Sequence, residues 1–430
     1  MNGRKILADG VAAREVWAWA MYDFANSAYT TTVVTAIFNA YFVAVVAGGA
    51  AWATLAWTST QALASVAIML TAAGVGAYAD RHGAKKELLA ITTAGCVMAT
   101  AALFWVGPGD VLLAMGLVAI ASFFFGSGEN IIAAFLPELA GDDDLGKVSG
   151  WGWSWGYLGG MACLGLCLAW IVAAKGRGEG AESFVPAAML ITAVFFAVAS
   201  APTFLLLRER VPASPVARIA TEFSALAQRL ADTAREARRF PDMARFMACL
   251  VCYQSGVIAA ISLAAIYAQE AIGFSAEDNI KLFFVVNGTA AIGAFAFGYV
   301  QDRLGHVPTI ALTLLGWLLM TAIALASDSR AQFWLAANIA GLCLGSSQSA
   351  SRALVGHFAP LRRRAEFFGL WGLAMKLAAI AGPMTYGLTT WLSGGNHRLA
   401  LGITGLYFAG GLLLLIGIDA RRGHDAALAD

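Results

Sequence analysis

The sequence predicts an all-α membrane protein: twelve transmembrane helices in two pseudo-symmetric six-helix bundles, with both termini cytoplasmic. Three observations carry this. Of 430 residues, 59% are hydrophobic and only 13% charged, against about 25% charged in soluble domains. So few charges cannot cover a soluble core, and most apolar surface must meet lipid. Second, the apolar runs are too long for barrel strands and suit helices, which satisfy their own backbone hydrogen bonds. Third, the chain repeats itself. Gly76-Ala-Tyr-Ala-Asp80-Arg81-His-Gly83 returns 222 residues later as Gly298-Tyr-Val-Gln-Asp302-Arg303-Leu-Gly305. Gly126-Ser127 returns as Gly345-Ser346 and Gly150 as Gly369, both 219 residues on. A repeat of about 200 residues marks duplication rather than a short-repeat solenoid, and duplicated apolar halves are typical of secondary transporters.

A span needs about 20 apolar residues to cross about 30 Å of hydrocarbon. Runs that qualify are 16–46, 52–79, 87–107, 111–135, 148–173, 185–207, 244–270, 279–300, 307–326, 331–356, 366–392 and 398–419. The first follows a polar start, Met1 to Glu15; too long for a signal-peptide core and without a cleavage site, it reads as a retained helix. Between spans 2 and 3 lies the charged loop ending in Lys85-Lys86, whose glycines at 76 and 83 permit close approach and a tight turn. Gly152, Gly156 and Gly160 fall at i, i+4, i+8 on one face of span 5 and permit close helix contact. Residues 208–243 join the bundles 1–207 and 244–430. In this linker Ile219, Phe223, Leu226 and Leu230 recur at helical spacing among Arg218, Arg229, Arg235, Arg238 and Arg239, the pattern of an amphipathic helix on the cytoplasmic membrane face. Pro383 in span 11 marks a bend.

Orientation follows from the basic residues. Of 28 Lys and Arg, Lys175, Arg177, Lys281, Arg330 and Arg398 lie at or near outer loops and Arg352 and Lys376 lie within spans; the other 21 fall on the inner side when the termini are cytoplasmic. The net charge of +1 argues against a nucleic-acid partner. All six cysteines lie in apolar runs and read as small buried hydrophobes, neither a disulfide framework nor a metal site. The five histidines are scattered, mostly at loops. No nucleophile–base pair and no phosphate-cradling Gly-rich loop is present, so neither an enzyme nor self-powered ATP use is indicated, and no cofactor is expected.

Twelve spans in two halves, with G-x-x-x-D-R-x-G-x-K-K after the second and a degenerate copy after the eighth, resemble the major facilitator superfamily. Within it, Trp19-Ala-Met-Tyr22-Asp23-Phe-Ala-Asn26-Ser27-Ala-Tyr29, Phe135-Leu-Pro137-Glu138-Leu-Ala and Ser149-Gly-Trp-Gly152-Trp-Ser-Trp-Gly156-Tyr157-Leu-Gly-Gly160 resemble the branch of facilitators that includes the autophagy-linked vacuolar amino-acid effluxers. Ser349-Ala-Ser-Arg352, Ala365-Glu366-Phe-Phe-Gly369 and Gly382-Pro383 add to that resemblance in the second half. It covers nearly the whole chain. It implies alternating access, a conformational latch at Gly76, Asp80, Arg81, Gly83, Lys85, Lys86, Asp302 and Arg303, and amino acids or similar zwitterions as the substrate class. His306-Val-Pro stands where a basic pair is expected in the second loop, which weakens that copy of the latch.

A charge at mid-bilayer costs at least about 2.5 kcal/mol, so it is expected to face a cavity or a partner. Asp23, Glu129, Arg352 and Lys376 lie at such depth. In the superfamily spans 1, 4, 7 and 10 line the central cavity, which makes these four the candidate substrate and coupling residues. Tyr22, Asn26, Asn130, Tyr253, Gln254, Gln348 and Ser349 are the neighbours able to hydrogen-bond a polar solute. Structural ion pairing of the acids with the bases is the alternative reading. For the whole chain, a small-solute permease with protons as the candidate coupling ion stands against a membrane receptor or scaffold that binds solute without moving it, and sugars or drugs stand beside amino acids. The partners expected are the small solute and membrane lipid, for a monomer in the plasma (inner) membrane.

Overall fold

The computed structural model describes residues 7, 10–139, 145–210, 240–327, 329–358 and 364–428. The predicted linker helix lies outside these; of the linker 208–243 only residues 208–210 and 240–243 are described. Among the described residues the regular structure is helical: α1 (Ala13–Tyr29), α2 (Phe38–Tyr41), α3 (Ala53–His82), α4 (Lys85–Ala102), α5 (Val111–Ala133), α6 (Leu136–Leu139), α7 (Leu145–Gly176), α8 (Ala181–Leu206), α9 (Pro241–Ser262), α10 (Ala264–Ile272), α11 (Ala276–Leu304), α12 (His306–Leu325), α13 (Arg330–Phe358), α14 (Arg364–Leu392), α15 (His397–Leu415) and α16 (Ala420–Leu428). Nine helical segments among the described residues are long and apolar enough to cross a bilayer. Large apolar side chains such as Met98, Leu112, Leu205, Leu406, Leu413 and Ile416 stand exposed, as expected of surfaces covered by lipid rather than water.

The first span is not uniformly α-helical. It continues from α1 to Val46 through π-helical turns at Thr30–Ala36 and Phe42–Val46. The run Thr30-Thr-Thr-Val-Val-Thr35 crowds an α-helix with β-branched side chains. Its hydroxyls turn back onto the chain: Thr32 Oγ1 donates to Ala28 O at 2.7 Å and Thr35 Oγ1 to Thr31 O at 2.9 Å. Such back-bonding competes with the regular ladder and favours the wider turn.

The charged repeat proves to be helix end rather than loop. Residues 76–82 complete α3 and 298–304 complete α11; the chain then breaks at Gly83 (φ 59°) and Gly305 (φ 86°). Both glycines occupy left-handed backbone conformations, open to glycine and strained for other residues. The repeated glycine of the motif is therefore the hinge of each helical hairpin.

The chain divides into two compact units, one of residues 1–49 and 63–227 and the other of 50–62 and 228–430. In the first, α1 packs on α7 and α8, and α4 on α5 and α8. In the second, α9 packs on α14 and α15, and α12 on α13 and α15. Taking long helices in order within each half, the same pairs meet in both. The duplication seen in the sequence is thus a duplication of packing.

Glycines set the closest approaches. A Cβ placed on Gly159 of α7 would collide with the Phe24 carbonyl of α1, and one on Gly382 of α14 with the Ser255 carbonyl of α9. Gly152, Gly156 and Gly160 line the same α1–α7 seam, where a Cβ would come within 3 Å of Asp23 Oδ2, Ser27 Oγ and Thr31 Oγ1 respectively.

Each unit is also strapped at one end by a carboxylate and an arginine. Buried Glu15, at the start of α1, accepts from Arg210 Nη2 at 2.6 Å, just past α8. Buried Asp242, at the start of α9, accepts from Arg422 Nε and Nη2, both at 2.6 Å, past α15. Both straps tie the first long helix of a half to the chain leaving its sixth. The Asp242 carboxylate holds the Arg422 guanidinium above its ordinary range.

Candidate solute and coupling site

In the first unit the site grows from one face of α1. Tyr22 is 1% exposed, and its hydroxyl shares a 3.0 Å hydrogen bond with Thr93 Oγ1 of α4. A Cβ on Gly128 of α5 would lie 2.6 Å from that hydroxyl, so the tyrosine tip rests on the α5 backbone one residue before Glu129. Asp23 is half-buried, with its carboxylate against Gly152 of α7. The Glu129 charge acts on both Asp23 and Tyr22. The two acids that the sequence singles out are thus neighbours, brought together from α1 and α5. Among the described residues Asp23 makes no ion pair with a lysine or arginine. Asn26 is buried on α1, whereas Asn130 is exposed. The frame around α1 is dense: Trp19 Nε1 donates to Ile132 O at 2.9 Å, Thr203 Oγ1 to Ala18 O at 2.7 Å, and Tyr29 shares 2.8 Å with Ser122.

The second unit presents a matching pair on α9. If Ser255 corresponds to Phe24, as their glycine contacts indicate, then Tyr253-Gln254 stands where the first half has Tyr22-Asp23. Both residues are buried. Among the described residues Gln254 Oε1 has no hydrogen-bond partner, while Ser351 of α13 stands beside the Tyr253 hydroxyl. Gln254 Nε2 reaches Met375 Sδ at 3.4 Å, one residue before the half-buried Lys376 of α14. Buried polar atoms without partners are costly, and sites that receive a polar ligand are where they are tolerated. Gln348 is half-buried on α13, the helix that also carries Ser349 and Arg352, whose side chains are outside the described set.

The latch residues divide similarly. Gly76, Asp80, Arg81 and Asp302 lie in helical backbone, with side chains outside the described set, and Arg303 is exposed. Lys85 and Lys86 are tied down within the first unit. Lys85 Nζ donates to Glu138 Oε1 at 2.9 Å, with both side chains under a tenth exposed. The Glu209 carboxylate accepts from the backbone N–H of Lys85 (3.0 Å) and Lys86 (3.2 Å), and Lys86 Nζ donates to Leu207 O at 2.8 Å. An anion at a helix start satisfies orphan N–H groups and complements the dipole, so Glu209 caps α4. Sequence reasoning missed Thr93, Glu15, Glu209 and Arg210, since each gains meaning only from a partner distant in the chain. Glu138→Gln would remove the carboxylate that Lys85 Nζ reaches at 2.9 Å; a lowered midpoint of thermal unfolding in detergent is expected. An unchanged midpoint would mean that the Lys85–Glu138 pair adds nothing to stability.

The fold is that of major facilitator transporters. A point mutant of the nucleoside transporter NupG superposes with a TM-score of 0.71 at 15% identity, over 96% of this chain and 99% of that one. A D-xylose–proton symporter gives 0.69 at 15% identity, over 95% and 99%. At the sequence level, YxiO of Bacillus subtilis (strain 168), an uncharacterized MFS-type transporter, is 24% identical over 417 residues, 95% of this chain and 96% of its own. The chain belongs to the vacuole effluxer Atg22-like family, whose profile matches residues 54–428. It is a multi-pass membrane transporter of the MFS type.

Proposed function

We propose that the protein is a secondary transporter that moves a small polar solute by alternating access, with amino acids or similar zwitterions as substrate and protons as the coupling ion. The observation that carries this is the Asp23–Glu129 pair, two carboxylates within electrostatic reach of each other inside membrane-crossing helices, with no lysine or arginine paired to Asp23 among the described residues. An acid at such depth costs free energy unless it has a task or a partner, and exchanging a proton is a task it can perform. Arg352 and Lys376 are the candidate partners for a solute carboxylate, and Gln254 Oε1 has hydrogen-bonding capacity that no described residue uses. Three further helices of 29 residues each, α11, α13 and α14, join the nine candidate spans to support a twelve-helix architecture. In this reading residues 1–207 and 244–430 are the moving bundles, 208–243 the cytoplasmic linker, both termini are cytoplasmic, and a monomer sits in the plasma membrane with Asp80 as its latch.

The test is uptake into proteoliposomes with and without an imposed pH gradient, after a thermal-shift panel of amino acids, sugars and nucleosides has chosen the solute. Gradient-dependent accumulation of an amino acid supports the proposal, and binding without movement of any solute would make the protein a receptor. Arg352→Lys keeps the charge but loses the planar two-pronged grip on a carboxylate. Its expected effect is weaker binding of the chosen solute, and unaltered affinity would remove Arg352 from the site.

A further inference from the structure

Three histidines that are far apart in the sequence stand in one row in the second unit. His306 begins α12, His357 lies in the last turn of α13 just past the predicted span, and His424 sits on α16. The rings of His357 and His424 are stacked, centroids 4.1 Å apart and planes 5° from parallel. His306 is next in line, 5.3 Å from His357. The stacked pair is also cross-bonded. His424 Nδ1 lies 3.0 Å from the His357 carbonyl, and the His357 ring hydrogen-bonds the backbone at Ala420, the first residue of α16. Beneath them α16 is seated on apolar surface: Gly423 touches the buried Phe358 ring, which meets Phe246 of α9 edge-on at 6.3 Å, and Ala427 is buried.

We propose that α16 is held by a pH-sensitive histidine clasp, closed while the imidazoles are neutral and released when this end of the unit is acidified. Neutral rings can stack and donate to carbonyls, whereas two imidazolium rings at 4.1 Å repel, and a third stands behind them. Asp242 of α9 is committed to Arg422, Asp419 accepts from the N–H groups of Arg421 and Arg422, Arg245 of α9 donates to Gly417 O, and the side chains of Asp425 and of Arg303 on α11 are exposed. Burial, and then the His424 and His306 charges, hold His357 below the ordinary histidine range. A group with a depressed bound-state pKa stabilises the closed form above its free value, about 6.5, and loses that contribution as pH falls toward the bound value. The window is therefore mildly acidic. The consequence is control of the inner end of α13, the helix that carries Arg352. The inference rests on the second unit alone and holds whatever the solute.

Hydrogen–deuterium exchange of the purified full chain in detergent tests it, read on peptides covering 420–428 and normalised for the intrinsic pH dependence of exchange. Protection is expected to fall about tenfold between pH 7.5 and 5.5, with α15 unchanged. His306→Gln leaves both cross-bonds in place, so protection at pH 7.5 should persist while the fall shrinks. The double variant H357Q/H424Q cannot acquire the charges and should show no fall. Equal protection of the parent at both pH values, an undiminished fall in H306Q, or a parental fall in the double variant would overturn the clasp. If the double variant is unprotected throughout, the shrinkage in H306Q decides.

Discussion

In proteoliposomes containing Asp23→Asn, solute is expected no longer to accumulate against its gradient, while counterflow of solute for solute should continue. Coupled to one proton, one pH unit can sustain roughly tenfold accumulation, because tenfold corresponds to about 1.4 kcal/mol; the variant is expected to fall to unity. The amide keeps the shape and the hydrogen bonding of the carboxylate but fixes its charge at zero, and exchange needs no net proton movement. Glu129→Gln is the companion measurement, since the Glu129 charge is the one acting on Asp23. The position against Gly152 makes Asp23 sensitive to any change of volume on α7, so the isosteric amide is the cleanest probe. Parental accumulation in both variants would leave neither acid as the proton carrier and return them to a structural role.

Folded yield should collapse in Gly159→Ala and Gly382→Ala. Each added methyl meets a backbone carbonyl of the facing helix rather than a side chain that can rotate away. Overpacking costs about 1–3 kcal/mol when side chains can adjust, and a clash with backbone belongs at or above the top of that range. Gly165, on the same α7 helix as Gly159, has nothing within 4 Å of a built Cβ, so Gly165→Ala should leave yield and unfolding midpoint unchanged. Equal behaviour of Gly159→Ala and Gly165→Ala in size-exclusion chromatography and thermal unfolding would show that the α1–α7 seam can open at little cost.

The membrane class, the duplication and the glycine seam of span 5 are legible in the sequence because each leaves a local signal: apolar length, a repeated motif, or small residues at helical spacing. Asp23 and Glu129 are legible too, since a carboxylate inside an apolar run stands out. What stays hidden is pairing. Nothing near Glu15 announces Arg210, 195 residues on, and Thr93 looks like any hydroxyl in an apolar helix until Tyr22 is set against it. The histidines read as scattered because their alignment is a product of three helix ends meeting. The loop motif was legible in its residues and misleading in its form, for apolar runs broken by charges resemble a loop, whereas the chain stays helical through His82 and Leu304 and turns only at the glycine.

The paired hairpins at Gly83 and Gly305 also speak to descent. Both copies keep the left-handed glycine, but the residue that opens the next helix differs: Lys85 in one, His306 in the other. The first copy opens that helix with a lysine paired to Glu138; the second opens it with a histidine set against His357. After duplication the bend was inherited and the chemistry was not. The two halves, alike in packing, thereby differ in the chemistry they set at the same bend.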